Sequence, residues 1–245
     1  MTSQRNVWEH LGATDADWAV ASRPERRNGA WADDLDEFYA SGARRIDEVL
    51  DRLPEQAQRA SVLDYGSGTG RLSFALAARF DRVTSADIST SMIALLEKRA
   101  AERGITNIST VDLNAGDPPA NHDLAISLIT LQHVQTFETV DRALRTISAS
   151  LHPGGYAVID FPTPPATLRR RVQPSYRAYR WLRAVGVSTP RLDKLGLSGI
   201  SMLYEAPEPF EKRLLAAGLR TLGVSLDDQA YSVQGTYVTQ RVVPE

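Results

Sequence analysis

Three groups of residues in this 245-residue chain have types and spacings suited to chemistry. Gly66, Gly68 and Gly70 follow the short apolar run 61–64 in the string ASVLDYGSGTG, and Leu72, Phe74, Ala75, Leu76 and Ala78 then continue as a helix former. A strand, glycine turn and helix in that order aim backbone N–H groups and a helix N-terminus at a polar ligand across the strand's carboxyl end. A dinucleotide fingerprint reads G-x-G-x-x-G, whereas here the third glycine comes one residue early and Arg71 stands in its place. The second group is Asp87, directly after a strand candidate at 82–86, where an acid can accept hydrogen bonds from two ribose hydroxyls. The third is His133, in LITLQHV just past a fourth strand candidate, where a base of near-neutral pKa can take a proton from a reacting group. His10 in the polar start and His152 before Pro153 read as surface groups, and His122 falls at the far edge of the fourth strand. No cysteine is present, which excludes disulfides, a thiolate nucleophile and a zinc-thiolate site.

Elements to position these groups are legible on both sides of them. A helix is predicted over 90–103, ending at Gly104, and a third strand over 107–111. Residues 124–129 are almost continuously apolar, as a strand buried on both faces must be. A helix over 140–151 is expected to stop at Pro153-Gly154-Gly155, before a fifth strand at 156–161. Five β–α alternations predict an α/β, doubly wound, mainly parallel sheet. A helix at 210–217 and strands at 219–226 and 237–243 complete the chain. Residues 1–59 are charged yet hold Trp8, Trp18 and Trp31, and large aromatics on a polar arm need a surface to cover. Leu35, Phe38, Tyr39, Ile46, Val49, Leu50 and Leu53 recur at helical spacing, broken by Ser41 and Gly42, so two helices are expected to meet near Gly42.

The string VLDYGSGTG, followed in order by ADISTSMI, VDL, HDLAISLITLQHV and LHPGGYAVIDF, resembles the class I S-adenosylmethionine-dependent methyltransferases that act on small molecules. The match is close over residues 60–161 and loose elsewhere. It implies a Rossmann-like sheet of seven strands closed by an antiparallel one, with S-adenosyl-L-methionine as cofactor. It also implies one structural domain, with 1–59 as an N-terminal helical lid, 60–245 as the core and 163–204 as a cap insertion that selects the acceptor. Carried over residue by residue, Asp64 orients the glycine loop or reaches the methionine amino group, and Gly66, Gly68 and Gly70 bring the backbone close to it. Asp87 holds the ribose, Ile88 packs on the adenine, and Asp112 and Leu113 bond its exocyclic amine and flank the ring. Ile129 and Gln132 line the sulfonium side. Tyr39 and Arg44 are candidates for the methionine carboxylate, which needs a hydroxyl or cationic partner, while Trp31 and Phe38 pack the lid on the sheet. His133 serves as base or positions the acceptor, its other reading being a structural histidine bonded to loop backbone. No metal site is implied.

The region 163–204 carries Arg169, Arg170, Arg171, Arg177, Arg180, Arg183, Arg191 and Lys194 against Asp193 alone, a net charge of +7 beside −9 for the rest of the chain. Tyr176, Arg177, Arg180 and Arg183 are read as recognising an anionic acceptor, since arginine suits bidentate contact with oxyanions. The other reading is a solvated helix face with arginine stems over an apolar side. The overall charge of −2 and the lack of an N-P-P-Y tetrad after the fourth strand argue against a nucleic-acid substrate. There is no signal-peptide h-region and no run near the roughly 18 apolar residues of a membrane span. The expectation is therefore a cytoplasmic methyltransferase acting on a small molecule, at oxygen before nitrogen, with no membrane partner and its oligomeric state left open. The alternatives are an RNA methyltransferase using the basic cap and a non-catalytic cofactor-binding protein.

Overall fold

The apolar runs become the strands of one sheet. The computed structural model describes residues 4–22, 24–165, 173–197, 199–228 and 233–242. Its strands are β1 (Ser61–Tyr65), β2 (Arg82–Asp87), β3 (Ile108–Asp112), β4 (His122–Ser127), β5 (Leu151–Pro162), β6 (Leu219–Asp228) and β7 (Val233–Arg241). They join in the order β3-β2-β1-β4-β5-β7-β6. The first five are parallel, and β7 lies antiparallel between β5 and β6. The helices are α1 (Gln4–Thr14), α2 (Ala16–Val20), α3 (Leu35–Leu50), α4 (Ser73–Ala77), α5 (Thr90–Glu102), α6 (Phe137–Ser150), α7 (Pro174–Ala184), α8 (Thr189–Lys194) and α9 (Pro207–Ala216).

Successive side chains of a strand point to opposite faces, and here both faces are apolar because both are covered. Val62, Leu124, Ile126 and Val158 pack with Ile46 and Val49 of α3 and Leu76 of α4. Leu63, Ala125, Ile159 and Phe161 pack with Val140, Leu144 and Ile147 of α6 and Phe210 and Leu214 of α9. Trp31 and Phe38 are buried edge to face, their centroids 5.3 Å apart, as expected of the aromatics that seat the arm.

Three expectations are corrected. Ser41 and Gly42 do not break the helix: α3 runs through them, and a Cβ at Gly42 would come within 2.2 Å of the Arg71 carbonyl oxygen. Glycine is there for a close approach to the glycine loop rather than for a turn. The connection from β3 to β4, residues 113–121, holds no helix, so the β–α alternation lapses once. Pro153, Gly154 and Gly155 lie inside β5, at an irregularity in its pairing with β4, instead of before it. Of the final strand's expected span, Val243 falls outside the described residues.

The N-terminal arm folds back over the carboxyl ends of β1 and β2. Val7, Leu11 and Ala19 cluster with Met92 of α5. Asp17 accepts from Thr69 Oγ1 (3.0 Å) and forms a two-bond ion pair with Arg99 (2.7 and 2.8 Å). Glu9 sits on the N-terminus of α5, accepting from Ser89 Oγ (3.0 Å), Thr90 Oγ1 (3.1 Å) and the Ser91 N–H (3.1 Å), where the helix dipole favours an anion.

Candidate functional site

The glycine loop is shaped by backbone that only glycine adopts at low cost. Gly66, Gly68 and Gly70 have φ of 88°, 54° and 89°. The Gly66 and Ser67 N–H groups both donate to the Ala86 carbonyl, at 2.7 and 3.1 Å, which ties the loop to β2. Asp87 completes the tie: Oδ2 accepts from the Gly68 N–H (2.9 Å) and Oδ1 from the Ser89 N–H (2.8 Å). Space above the loop is close-fitted, since a Cβ on Gly66 would meet the Thr130 side chain and one on Gly68 would meet Val20 of the arm.

Asp64 lies behind this loop, wholly buried, accepting from Ser73 Oγ at 2.6 Å. Burial pushes its pKa from the ordinary 3.8 up to about 6, against the Ser73 hydrogen bond and with the Asp87 charge adding to the rise. Burial likewise raises Asp87 against its backbone hydrogen bonds. Two buried carboxylates side by side make a region short of positive charge. For Asp64 the folded pKa exceeds the unfolded one, so its protonated form is favoured on folding. The stability that Asp64 contributes is then greatest below 3.8 and is lost as pH rises through about 6. Asp64→Asn is expected to be more stable than the parent by about 3 kcal/mol near neutral pH, with no difference once Asp64 is protonated in both folded and unfolded chains. Urea unfolding at acid and neutral pH measures this, and equal stability at neutral pH would contradict it.

Asp112 stands beside Asp87 in the β2–β3 register, and the Leu113 N–H donates to the Asp87 carbonyl (3.0 Å). Asn114 holds this corner, its Nδ2 donating to the Ile88 carbonyl (2.8 Å) and to Asp112 Oδ1 (2.6 Å). Hydrogen bonds from Asn114 hold the Asp112 carboxyl below the ordinary value. Asp64, the three glycines, Asp87, Ile88, Asp112 and Leu113 thus gather along the ends of three adjacent strands, as the sequence implied.

The β4 exit departs from the expectation in shape. The strand ends at Ser127, and Ile129 has φ 57° and is 44% exposed. A β-branched residue in the left-handed region is strained by about 1–3 kcal/mol, which the surrounding structure must hold in place. The turn it makes sets Thr130 over Gly66 and starts the short 3-10 helix Leu131–His133. Gln132 is buried, with no hydrogen-bond partner for Oε1 among the described residues, and its Nε2 lies 3.5 Å from His133 Nε2. His133 Nδ1 is 3.1 Å from the Ser201 carbonyl, and Trp8 of α1 meets the ring edge to face at 5.6 Å. A carbonyl only accepts, so Nδ1 carries the proton and Nε2 the lone pair. Desolvation pushes the His133 pKa below its ordinary 6.5, opposed by the Ser201 bond, so the ring is neutral at pH 7.

Several residues singled out from the sequence are not brought to this site. Arg44 pairs with Glu37 (2.6 Å) on the outer side of α3. Tyr39 stacks on Phe74 (5.2 Å) beneath the Arg103 guanidinium (4.0 Å), one layer behind the loop. The cation next to Asp64 is Arg71, the residue occupying the place of a dinucleotide loop's last glycine. In the cap, Tyr179 is the buried member of α7, while Arg177 and Arg180 are exposed, Arg180 lying 5.9 Å from the Tyr176 ring centroid. Arg183 donates to the Val187 carbonyl (2.7 Å) at its own helix end. Arg169, Arg170 and Arg171 lie outside the described residues. His122 opens β4, buried between the Ser150 carbonyl (3.1 Å) and Thr84 Oγ1 (2.9 Å), a structural role at the end away from the loop. Sequence reading missed Glu9, Asp17 and Ser201, which arrive from segments with no motif of their own, passed over Thr130 inside the fourth-strand motif, and expected of Trp8 only that it cover a surface.

A sheet in this strand order, with a glycine loop after β1 and an acid closing β2, defines the class I Rossmann-like methyltransferase fold. Residues 62–155 match a family described as a methyltransferase domain, and this match together with the sheet supports a class I S-adenosylmethionine-dependent methyltransferase. It is 33% identical over 168 residues to a demethylmenaquinone methyltransferase of Clavibacter sepedonicus, covering 66% of this chain and 64% of that protein. It is 28% identical over 194 residues to a ubiquinone biosynthesis O-methyltransferase of Xanthomonas euvesicatoria pv. vesicatoria, covering 78% and 72% of the two chains. Among solved structures, the magnesium protoporphyrin IX methyltransferase of Synechocystis PCC 6803 with bound S-adenosylhomocysteine superposes with a TM-score of 0.62 over 97% of each chain, at 18% identity, a likeness of fold.

The residues present fit S-adenosylmethionine on their own chemistry. Asp64 and Asp87 form an anionic, desolvated corner at the glycine loop, and a ligand carrying an ammonium and a sulfonium supplies the missing positive charge.

Proposed function

We propose that this chain transfers the methyl group of S-adenosylmethionine to a hydroxyl oxygen of a small molecule, with His133 as the base. The observation that carries the reading is the neutral imidazole at the β4 exit, its Nδ1–H held by Ser201 and its Nε2 bearing the lone pair. The cofactor, when bound, supplies an activated methyl group. Asp87 would hold the ribose hydroxyls, Ile88, Asp112 and Leu113 the adenine, and Arg71 with the Gly66–Gly70 loop the methionine end. The acceptor hydroxyl must present a lone pair in line with the breaking bond at about 3 Å, in a site that excludes water. His133 Nε2 takes the hydroxyl proton as the oxygen is methylated, Gln132 Oε1 offers a buried acceptor for a second donor on the substrate, and Trp8 closes the arm side.

A phenolic hydroxyl suits this arrangement, because loss of its proton makes either the oxygen or a ring carbon nucleophilic. Relatives named for methylation in quinone biosynthesis support an aromatic acceptor of that class. Arg177 and Arg180, turned to solvent, give no support to charge recognition of the acceptor in this conformation. The test is incubation with methyl-labelled cofactor and a series of catechols, hydroquinones and amines, followed by mass spectrometry. Label transferred to amines and never to hydroxyl compounds would overturn it. Asp87→Asn, which keeps one backbone acceptor while weakening the ribose contacts, is expected to lower cofactor affinity by about 2 kcal/mol, the scale of hydrogen bonds to a charged group. Calorimetry showing unchanged affinity in the folded variant would remove Asp87 from the site.

A further inference from the structure

The described part of the basic cap presents Arg177, Arg180, Arg191 and Lys194 to solvent together with large apolar side chains. On α7, Arg177 and Trp181 stand on successive turns of one face, and Val185, four residues further on, caps the helix; exposed Arg180 flanks that face and buried Tyr179 lies across from it. Trp181 is 66% exposed and Val185 61%, among the largest apolar exposures of the described residues. Past α8, Leu195 is 68% exposed directly beside exposed Lys194, with Arg191 also exposed. We propose that this cap surface docks on an anionic lipid bilayer.

An indole and aliphatic side chains left in water gain free energy at the boundary between headgroups and acyl chains, and arginine stems let guanidinium groups reach phosphates from there. Nucleic acid, or an acidic patch on a second copy, would use the cations and leave Val185 and Leu195 in water. The charge distribution also sets orientation, since the described cap, with Arg177, Arg180, Arg183, Arg191 and Lys194 against Asp193, is basic and is attracted to an anionic surface that repels the acidic remainder of the chain. Placement links the surface to the site without depending on the acceptor assigned above. The segment after α8 is bonded to the β4 exit through Ser201 and His133 (3.1 Å) and through the Leu203 N–H and the Gln132 carbonyl (2.7 Å). Gln173, at the start of α7, exchanges two bonds with Met202 (2.6 and 2.9 Å). A docked cap is therefore joined through these hydrogen bonds to the acceptor side of the site.

The experiment is sedimentation of the full chain with sucrose-loaded vesicles of phosphatidylcholine, with and without phosphatidylglycerol. Binding is expected to the anionic vesicles, weakening with salt. R177E and R180E should each reduce partitioning about fivefold or more, the weight of one basic residue near such a surface. W181A should reduce it while leaving the salt dependence in place. These side chains are exposed, and R191E with K194E provides a second pair should a variant fail to fold. No preference for anionic vesicles, or full binding by folded R177E/R180E, overturns the proposal. So does transfer RNA binding or self-association that these variants abolish while wild type ignores vesicles.

Discussion

His133→Ala is expected to lower kcat by about 10²-fold or more while leaving cofactor affinity unchanged, because a general base supplies that much and touches only the acceptor. Burial holds the His133 pKa below 6.5, so the wild-type rate should be level at neutral pH and fall only on the acid side of that value. In the variant this acid limb should vanish, and added imidazole should restore part of the rate. Ser201 holds the ring through a backbone carbonyl, so a side-chain change there leaves the tautomer intact and serves as a control. Loss of less than about tenfold with an unshifted pH profile would assign His133 to positioning instead. Loss of cofactor binding would place it elsewhere altogether.

Arg45→Ala is expected to destabilise the fold by about 3–5 kcal/mol, through a residue no motif marks. Arg45 reaches from α3 to Asp160 of β5 with 3.0 Å contacts to both carboxylate oxygens, and Thr236 of β7 donates to the same carboxylate at 2.7 Å. Asp160 is only 1% exposed, and burial raises its pKa even with the guanidinium beside it. Without Arg45 the carboxylate is a buried, uncompensated charge. A raised folded pKa means Asp160 stabilises most when protonated, and the variant raises it further, so the deficit is largest at neutral pH and shrinks as pH falls. Arg45→Met combined with Asp160→Leu should recover much of the loss, since paired apolar replacements cost little. Denaturant melts of the single and double variants decide it. If Arg45→Ala unfolds at the wild-type midpoint at neutral pH, the pair contributes nothing.

The placement of the glycine loop and of the acids that close β2 and β3 was legible in the chain alone because it depends on local spacing. One strand, one turn and one helix hold Gly66, Gly68 and Gly70, and Asp87 and Asp112 close strands whose apolar runs stand out between polar loops. A parallel sheet buried on both faces demands those runs, and its topology brings their ends into one row. The same local reasoning misplaced Gly42, because a glycine needed for approach to Arg71 reads like a glycine needed for a turn. It also assigned Arg44 to the cofactor and Arg177 and Arg180 to the acceptor, since residue type and helical spacing do not say which face of a helix meets the protein. Tertiary packing decided that: the face with Phe38, Ile46 and Val49 is buried in α3, so Arg45 turns in and Arg44 turns out, and Tyr179 does the same to Arg180. The tautomer of His133, the raised pKa of Asp64 and the placement of Trp8 and Glu9 belong to this second kind. Each arises from desolvation or hydrogen bonding between segments far apart in sequence, and these exist only once the chain has closed on itself.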